Sequence, residues 1–155
     1  MVENIFTNTF WRGRFFRYAP LACFAAIILL ASTTQASMSN TSRFIGPLLE
    51  FLFPDTDKTD LINYHGYIRK FAHLAEYALL GFFASRAFWY SSKKVLKDNW
   101  CLAAILTVFF VALIDEVNQS FNPTRTGSFY DVLLDLIGGA IMIASLLVYK
   151  KYRND

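Results

Sequence analysis

Residues 100–149 read WCLAAILTVFFVALIDEVNQSFNPTRTGSFYDVLLDLIGGAIMIASLLVY, and this stretch decides the fold. It holds two apolar runs, each near the length of about 20 residues that an α-helix needs to cross a bilayer. Asp115 and Glu116 end the first run, and Asp131 and Asp135 begin the second. The polar connection between the runs is short, so the two helices must be antiparallel neighbours. The stretch therefore predicts a membrane hairpin with carboxylates at its connected end.

The rest of the chain has the same membrane character. Of its 155 residues, 55% are hydrophobic, and the 17% that are charged fall below the roughly 25% of a soluble domain. A soluble protein of this length lacks the interior to bury so much apolar surface. We predict one all-α domain over residues 1–155, a polytopic bundle of four transmembrane helices. The predicted spans are residues 16–31, 69–90, 100–119 and 128–149.

Basic residues in the flanks predict the orientation, because cytoplasmic loops carry an excess of Lys and Arg. Three compact basic groups fall on one side of the spans: Arg12, Arg14, Arg17, Lys93, Lys94, Lys97, Lys150, Lys151 and Arg153. The basic residues of the other side are more widely spread: Arg43, Lys58, Arg69, Lys70 and Arg125. This predicts that both termini are cytoplasmic and that Trp89, Tyr90, Trp100 and Tyr149 form an inner aromatic belt.

The first extracytoplasmic connection, residues 32–68, is the only long one. Residues 43–53 are apolar but too short to span, which predicts a short interfacial helix. His65 falls in this connection, and we expect it to be exposed. The Arg-rich start and Thr34-Gln35-Ala36 also resemble a signal peptide with its cleavage site, which leaves three spans as the alternative.

Ionisable side chains converge at one depth. His73 and Glu76 lie near the outer end of the second span, and Glu76 is two turns in, roughly 10 Å down at 1.5 Å per residue. The acids of the last two spans occupy the same outer-leaflet slab. A charge inside a span costs about 2.5–3.5 kcal/mol on insertion scales, so such residues are paired or functional.

These residues form the predicted polar site. The candidate acid/base groups are His73, Glu76, Asp115, Glu116 and Asp135, since carboxylates and imidazole can exchange protons when burial shifts their pKa. The candidate ligand-binding groups are Lys70, Tyr77, Gln119, Arg125 and Asp131.

Structural roles remain open for most of the site. The deepest acids, Glu76 and Asp135, can pair with neighbouring cations and fix helix register. Asp131 can complete a capping box that begins at Ser128. Glu116 can point to solvent. The small residues Gly81, Gly138 and Gly139 are interpreted as points of close helix packing.

The chain resembles the VanZ-like family of bacterial membrane proteins. The resemblance lies in four blocks in order: Arg69 to Gly81, Asp115 to Phe121, Pro123-Thr124-Arg125, and Asp131 to Gly138. It implies a multi-pass protein of the bacterial inner (plasma) membrane and a role in the cell envelope. The family's namesake is tied to low-level resistance to the glycopeptide teicoplanin, so the resemblance implies a context and not a reaction.

Three functions fit this sequence. The site can bind an anionic lipid or a lipid-linked cell-wall precursor, with Arg125 and Lys70 holding the anionic group. It can serve a membrane-embedded acid/base enzyme, or it can only hold the helices together. An ion carrier fits less well, because the charges stop halfway across the membrane. We expect the lipid bilayer as a partner, no nucleic acid and no cofactor. An Asp/Glu/His set can hold a metal, but without a tight ligand motif none is expected.

Overall fold

The computed structural model describes residues 13–33, 38–121 and 128–154, and within these ranges it contains α-helices and no strand. The helices are α1 (Arg14–Thr33), α2 (Met38–Leu52), α3 (Lys58–Trp89), α4 (Lys94–Asp98), α5 (Trp100–Ser120) and α6 (Phe129–Asn154). The predicted all-α class is confirmed.

Three helices are long and apolar enough to cross a membrane, namely Phe15–Ser32, Trp100–Ser120 and Phe129–Tyr152. They correspond to the predicted first, third and fourth spans. The predicted second span lies in α3, whose 32 residues include several charged side chains that lower its hydropathy. The protein is therefore a helical membrane protein with three apolar candidate spans among the residues described.

The helix that holds the predicted second span includes residues 58–67, which the sequence left open as a separate short helix. It begins at Lys58 and not near Arg69, so most of the predicted connection is helical. The expectation that His65 is exposed is wrong, because only 5% of this residue is exposed where α2 packs on α3. The N-terminal part of α3, from Lys58, is polar and extends the helix beyond its apolar part.

Helices α3, α5 and α6 pack together and form the core of the bundle, which α1 and α2 flank. Close approach of α3 and α6 depends on glycine, as predicted. A Cβ atom on Gly81 would lie 2.9 Å from the carbonyl oxygen of Gly139, and one on Gly138 would collide with the carbonyl of Leu74. These contacts set the distance between the two helices that supply most of the polar site.

Side-chain contacts align the helices at two ends of the bundle. At the aromatic end, Tyr18 of α1 hydrogen-bonds Ser91 just after α3, over 2.8 Å. Lys150 of α6 lies there too, its Nζ 4.9 Å from the ring centre of Trp89. At the opposite, acidic end, the Ser32 hydroxyl donates to the backbone carbonyl of Asp115 over 3.0 Å. The start of α1 and the end of α6 therefore lie at the same end of the bundle.

Candidate functional site

The polar site is a cluster of side chains from α3, α5 and α6 at the acidic end. Nδ1 of His73 lies 3.5 Å from Oδ1 of Asp135. The Tyr77 hydroxyl donates a hydrogen bond of 3.0 Å to Oδ2 of Asp115. A ligand atom from each of His73, Asp115 and Asp135 lies within 4.8 Å of the others. We call His73, Tyr77, Asp115 and Asp135 the polar cluster.

Helix geometry explains why the polar cluster forms. His73 and Tyr77 are four residues apart on α3 and so share one face. Asp135 precedes Gly138 by about one turn of α6, close to where that glycine lets the helix touch the α3 backbone. Asp115 lies near the end of α5, whose connection to α6 is short. The tight α3–α6 crossing therefore brings the imidazole next to the Asp135 carboxylate.

Burial makes the cluster costly in free energy. Asp135 and Tyr77 are 0% exposed and Asp115 is 3% exposed. Neither carboxylate oxygen of Asp135 has a hydrogen-bond partner among the described residues. A buried ionised group costs several kcal/mol unless it is paired and hydrogen-bonded. The burial of the polar cluster therefore has a free-energy cost that packing alone does not explain.

A cavity of about 220 Å³ adjoins the polar cluster between α1, α2, α3 and α5. One part of its wall is apolar and consists of Ile28, Ala31, Ile45, Ile68 and Ala72. The other part is polar and consists of Ser32, Arg69, His73, Glu76, Asp115 and Gln119. A cavity with these two kinds of wall suits an amphiphilic ligand.

Two hydrogen-bond donors distinguish the polar wall. Gln119 is 3% exposed, and its amide nitrogen has no hydrogen-bond partner among the described residues. Arg69 contributes a guanidinium, which is charged at any physiological pH. Sequence reasoning missed Arg69 as a site residue. The signal was present, since Arg69, His73 and Glu76 follow i, i+4, i+7 spacing on one helix face.

Glu116 makes a capping contact that the sequence did not predict, while its acid/base role stays a prediction. It is 5% exposed, so the alternative that it points to solvent is wrong. Its Oε2 accepts a 2.9 Å hydrogen bond from the backbone N–H of Ser128. The Ser128 hydroxyl in turn accepts from the N–H of Tyr130 over 3.2 Å. Glu116 thus supplies the carboxylate of the capping box at the start of α6, the part that the sequence assigned to Asp131.

The remaining predicted site residues lie around this cluster. Glu76 and Gln119 line the cavity together with His73 and Asp115. Asp131 is half-buried in the first turn of α6, and Lys70 is exposed outside the cavity wall. Arg125 lies outside the described residues. The acid/base and ligand-binding roles assigned to all of these residues stay predictions.

The fold and the cluster define a class: small helical membrane proteins with buried acids and a histidine gathered at one end of the bundle. The VanZ/LLP1 family model matches residues 16–150, which is most of the chain. The protein therefore belongs to the VanZ/LLP1 family, as the resemblance in its polar blocks predicted. No curated protein and no solved structure matches the chain.

Proposed function

We propose that this protein is a multi-pass protein of the bacterial inner membrane that binds the phosphate-bearing headgroup of an envelope lipid. The cavity beside the polar cluster holds the headgroup. The observation that carries the proposal is that one cavity wall contains both Arg69 and the buried amide nitrogen of Gln119, which has no hydrogen-bond partner among the described residues. Both groups donate hydrogen bonds to anionic oxygens.

The proposed topology has four spans, with the apolar part of α3 as the second. Polar side chains inside a span normally face the bundle interior. This supports α3 as a span, because Tyr77 and Ser85 are fully buried and the His73 side chain is 18% exposed. The charges that lower the hydropathy of α3 belong in part to the site, so they do not argue against insertion.

The proposed orientation sets the aromatic end in the cytoplasm and the acidic end in the outer leaflet. Lysines gather at the aromatic end on α4, on the residue before it and at the end of α6: Lys93, Lys94, Lys97, Lys150 and Lys151. An excess of basic residues favours the cytoplasmic side. Both termini are then cytoplasmic, and α2 lies on the outer side as the interfacial helix.

The size of the cavity limits what it can hold. Pockets for whole drug-sized ligands measure about 300–1,000 Å³, and this cavity is smaller. It therefore suits a phosphate with the first atoms attached to it, while the acyl or polyprenyl chain stays in the bilayer. The headgroup can come from a bulk phospholipid or from a lipid-linked cell-wall precursor.

Lipid analysis of protein purified in mild detergent tests the proposal. We expect a phosphate-bearing lipid to co-purify at near one molecule per chain, and to be lost in Arg69→Gln. Mass spectrometry of the extract separates bulk phospholipid from a lipid-linked precursor.

Lys97→Gln at the aromatic end is the control for loss of a positive charge. Lys70→Gln is a second control, because Lys70 was predicted from the sequence to bind the ligand but lies outside the cavity wall that Arg69 lines. This variant should keep its lipid. Equal lipid content in Arg69→Gln and in the wild type, with both variants folded, would refute the proposal.

A role in glycopeptide resistance would require that the bound ligand is a lipid-linked cell-wall precursor. Binding of a lipid-linked precursor near the outer surface would limit its capture by teicoplanin. Expression of the wild type is then expected to raise the teicoplanin concentration needed to inhibit growth, and expression of Arg69→Gln at matched levels is not. Equal inhibition in the two strains contradicts this link.

An acid/base enzyme is the second candidate, and one observation favours it. The His73 imidazole lies beside a fully buried carboxylate, an arrangement that can hold and move a proton. Turnover of the co-purified lipid, present in the wild type and absent in His73→Gln, would support catalysis over binding alone. Loss of folded protein in His73→Gln and in Asp135→Asn would instead support a structural network.

A further inference from the structure

The polar cluster has the residue types of a metal site with their ligand atoms close together, although the sequence predicted none. The possible ligand atoms of His73, Asp115 and Asp135 all lie within 4.8 Å of one another. Each of these residues comes from a different helix, so no short sequence motif could reveal them. The bundle, and not a local segment, brings the three ligands together.

The spacing of His73 and Asp135 is compatible with coordination of one ion as well as with an ion pair. Their nearest atoms are 3.5 Å apart, beyond the 2.7–3.2 Å usual for an N–H···O hydrogen bond. Two ligand atoms at about 2.1 Å from one tetrahedral ion lie about 3.4 Å apart. The separation therefore matches one edge of a coordination shell.

A second observation points to a cation at this place. Asp135 is 0% exposed, and both of its oxygens lack a hydrogen-bond partner among the described residues. Native structures satisfy nearly all buried polar atoms, so two such oxygens on one carboxylate need an explanation. A bound cation would satisfy both the charge and the lone pairs.

We propose that His73, Asp115 and Asp135 bind one divalent transition-metal ion. A mixed set of imidazole and carboxylate ligands suits Zn²⁺ and similar ions. Three protein ligands leave a coordination position open. Because His73 and Asp115 also line the cavity, that position faces the cavity side of the cluster. The Tyr77 hydroxyl holds the Asp115 carboxylate in orientation, as outer-shell groups commonly do for metal ligands.

The metal site stands on its own geometry, but its use in headgroup binding rests on the proposed function. Asp115 places negative charge in the same cavity wall as Arg69. An anionic phosphate would be repelled by this carboxylate. A divalent ion at the cluster would offset that charge and offer the phosphate an oxygen ligand position.

The test uses the full chain in detergent, stripped with EDTA and dialysed against Zn²⁺. Elemental analysis is expected to find about one Zn²⁺ per wild-type chain. Asp135→Asn removes a ligand, so it is expected to weaken binding by more than the about 10–100-fold that loss of an outer-shell group costs. Asp98→Asn, an exposed acid at the aromatic end, is the matched control and should bind like the wild type.

A second readout keeps the test decisive if Asp135→Asn does not fold. His73→Gln removes a different ligand, and Co²⁺ added to the wild type reports ligation by its visible absorption spectrum. Wild-type protein that takes up no more Zn²⁺ than Asp135→Asn or His73→Gln would overturn the metal site. Zn²⁺ binding without any co-purified lipid would leave the metal site standing and refute the headgroup proposal.

Discussion

The charged groups at the two ends of the bundle differ in their contacts. At the aromatic end, Trp89 and Trp100 stack with their ring centres 5.2 Å apart, and the Lys150 ammonium lies over both rings. At the acidic end, Asp135 is buried without a hydrogen-bond donor among the described residues. The aromatic end has the composition of a membrane-interface anchor. The acidic end buries a charge at a cost in stability, and the proposed function would account for that cost.

The largest expected change in stability comes from a substitution that separates α3 from α6, the two helices whose close packing forms the acidic end. Gly138→Ala places a Cβ atom against the Leu74 carbonyl, so α6 must move away from α3. We expect a loss of about 3 kcal/mol in unfolding free energy, measured by SDS titration in mixed micelles. Gly66→Ala has open space around it and should change stability by less than about 1 kcal/mol. Equal stability of the two variants would contradict the tight crossing.

The next largest change is a gain in the free energy of unfolding instead of a loss. Asp135→Asn removes a buried charge that has no hydrogen bond among the described residues, and His73, 3.5 Å away, can then stay neutral, so metal-free protein should gain about 1–2 kcal/mol. The same SDS titration in EDTA measures this gain. Asp98→Asn is the control, because Asp98 is exposed and should change little. A clear loss of stability in EDTA would mean that Asp135 holds the helices together, and would remove the contrast between the two ends.

Tyr77→Phe tests the only side-chain hydrogen bond found within the polar cluster among the described residues. The change leaves the buried Asp115 carboxylate without its donor, and we expect a loss of about 1.5 kcal/mol. Tyr130→Phe is the matched control, since Tyr130 is 80% exposed on α6. The same unfolding titration compares the two variants. Indistinguishable stabilities would show that the hydroxyl is not needed to hold Asp115.

The smallest effect concerns the aromatic end. Lys150→Met keeps the apolar part of the side chain but removes the ammonium over the two Trp rings, so we expect a loss of about 0.5 kcal/mol. Lys151→Met is the control, because Lys151 is exposed next to it. Tryptophan fluorescence should shift in Lys150→Met and not in the control. A loss above about 2 kcal/mol would show that the aromatic end is more than an anchor.

The sequence could predict the shared depth of the acids but not their partners. Counting residues along each span placed His73, Asp115 and Asp135 at one level, and helix periodicity is regular enough for such counting. It could not choose between Arg69 and Lys70 for the cavity, because that choice depends on how α3 rotates against α1 and α2. The capping of α6 by Glu116 was also hidden, since it joins residues twelve positions apart across a connection.

Helix α1 has a consequence for any processed form of this protein. Ile28 and Ser32 form part of the cavity wall, and Ser32 hydrogen-bonds the backbone beside the polar cluster. Removal of a leader up to the Thr34-Gln35-Ala36 segment would take this part of the wall away and open the cavity beside Asp115. The length of the mature chain is therefore a direct test of whether the complete cavity exists in cells.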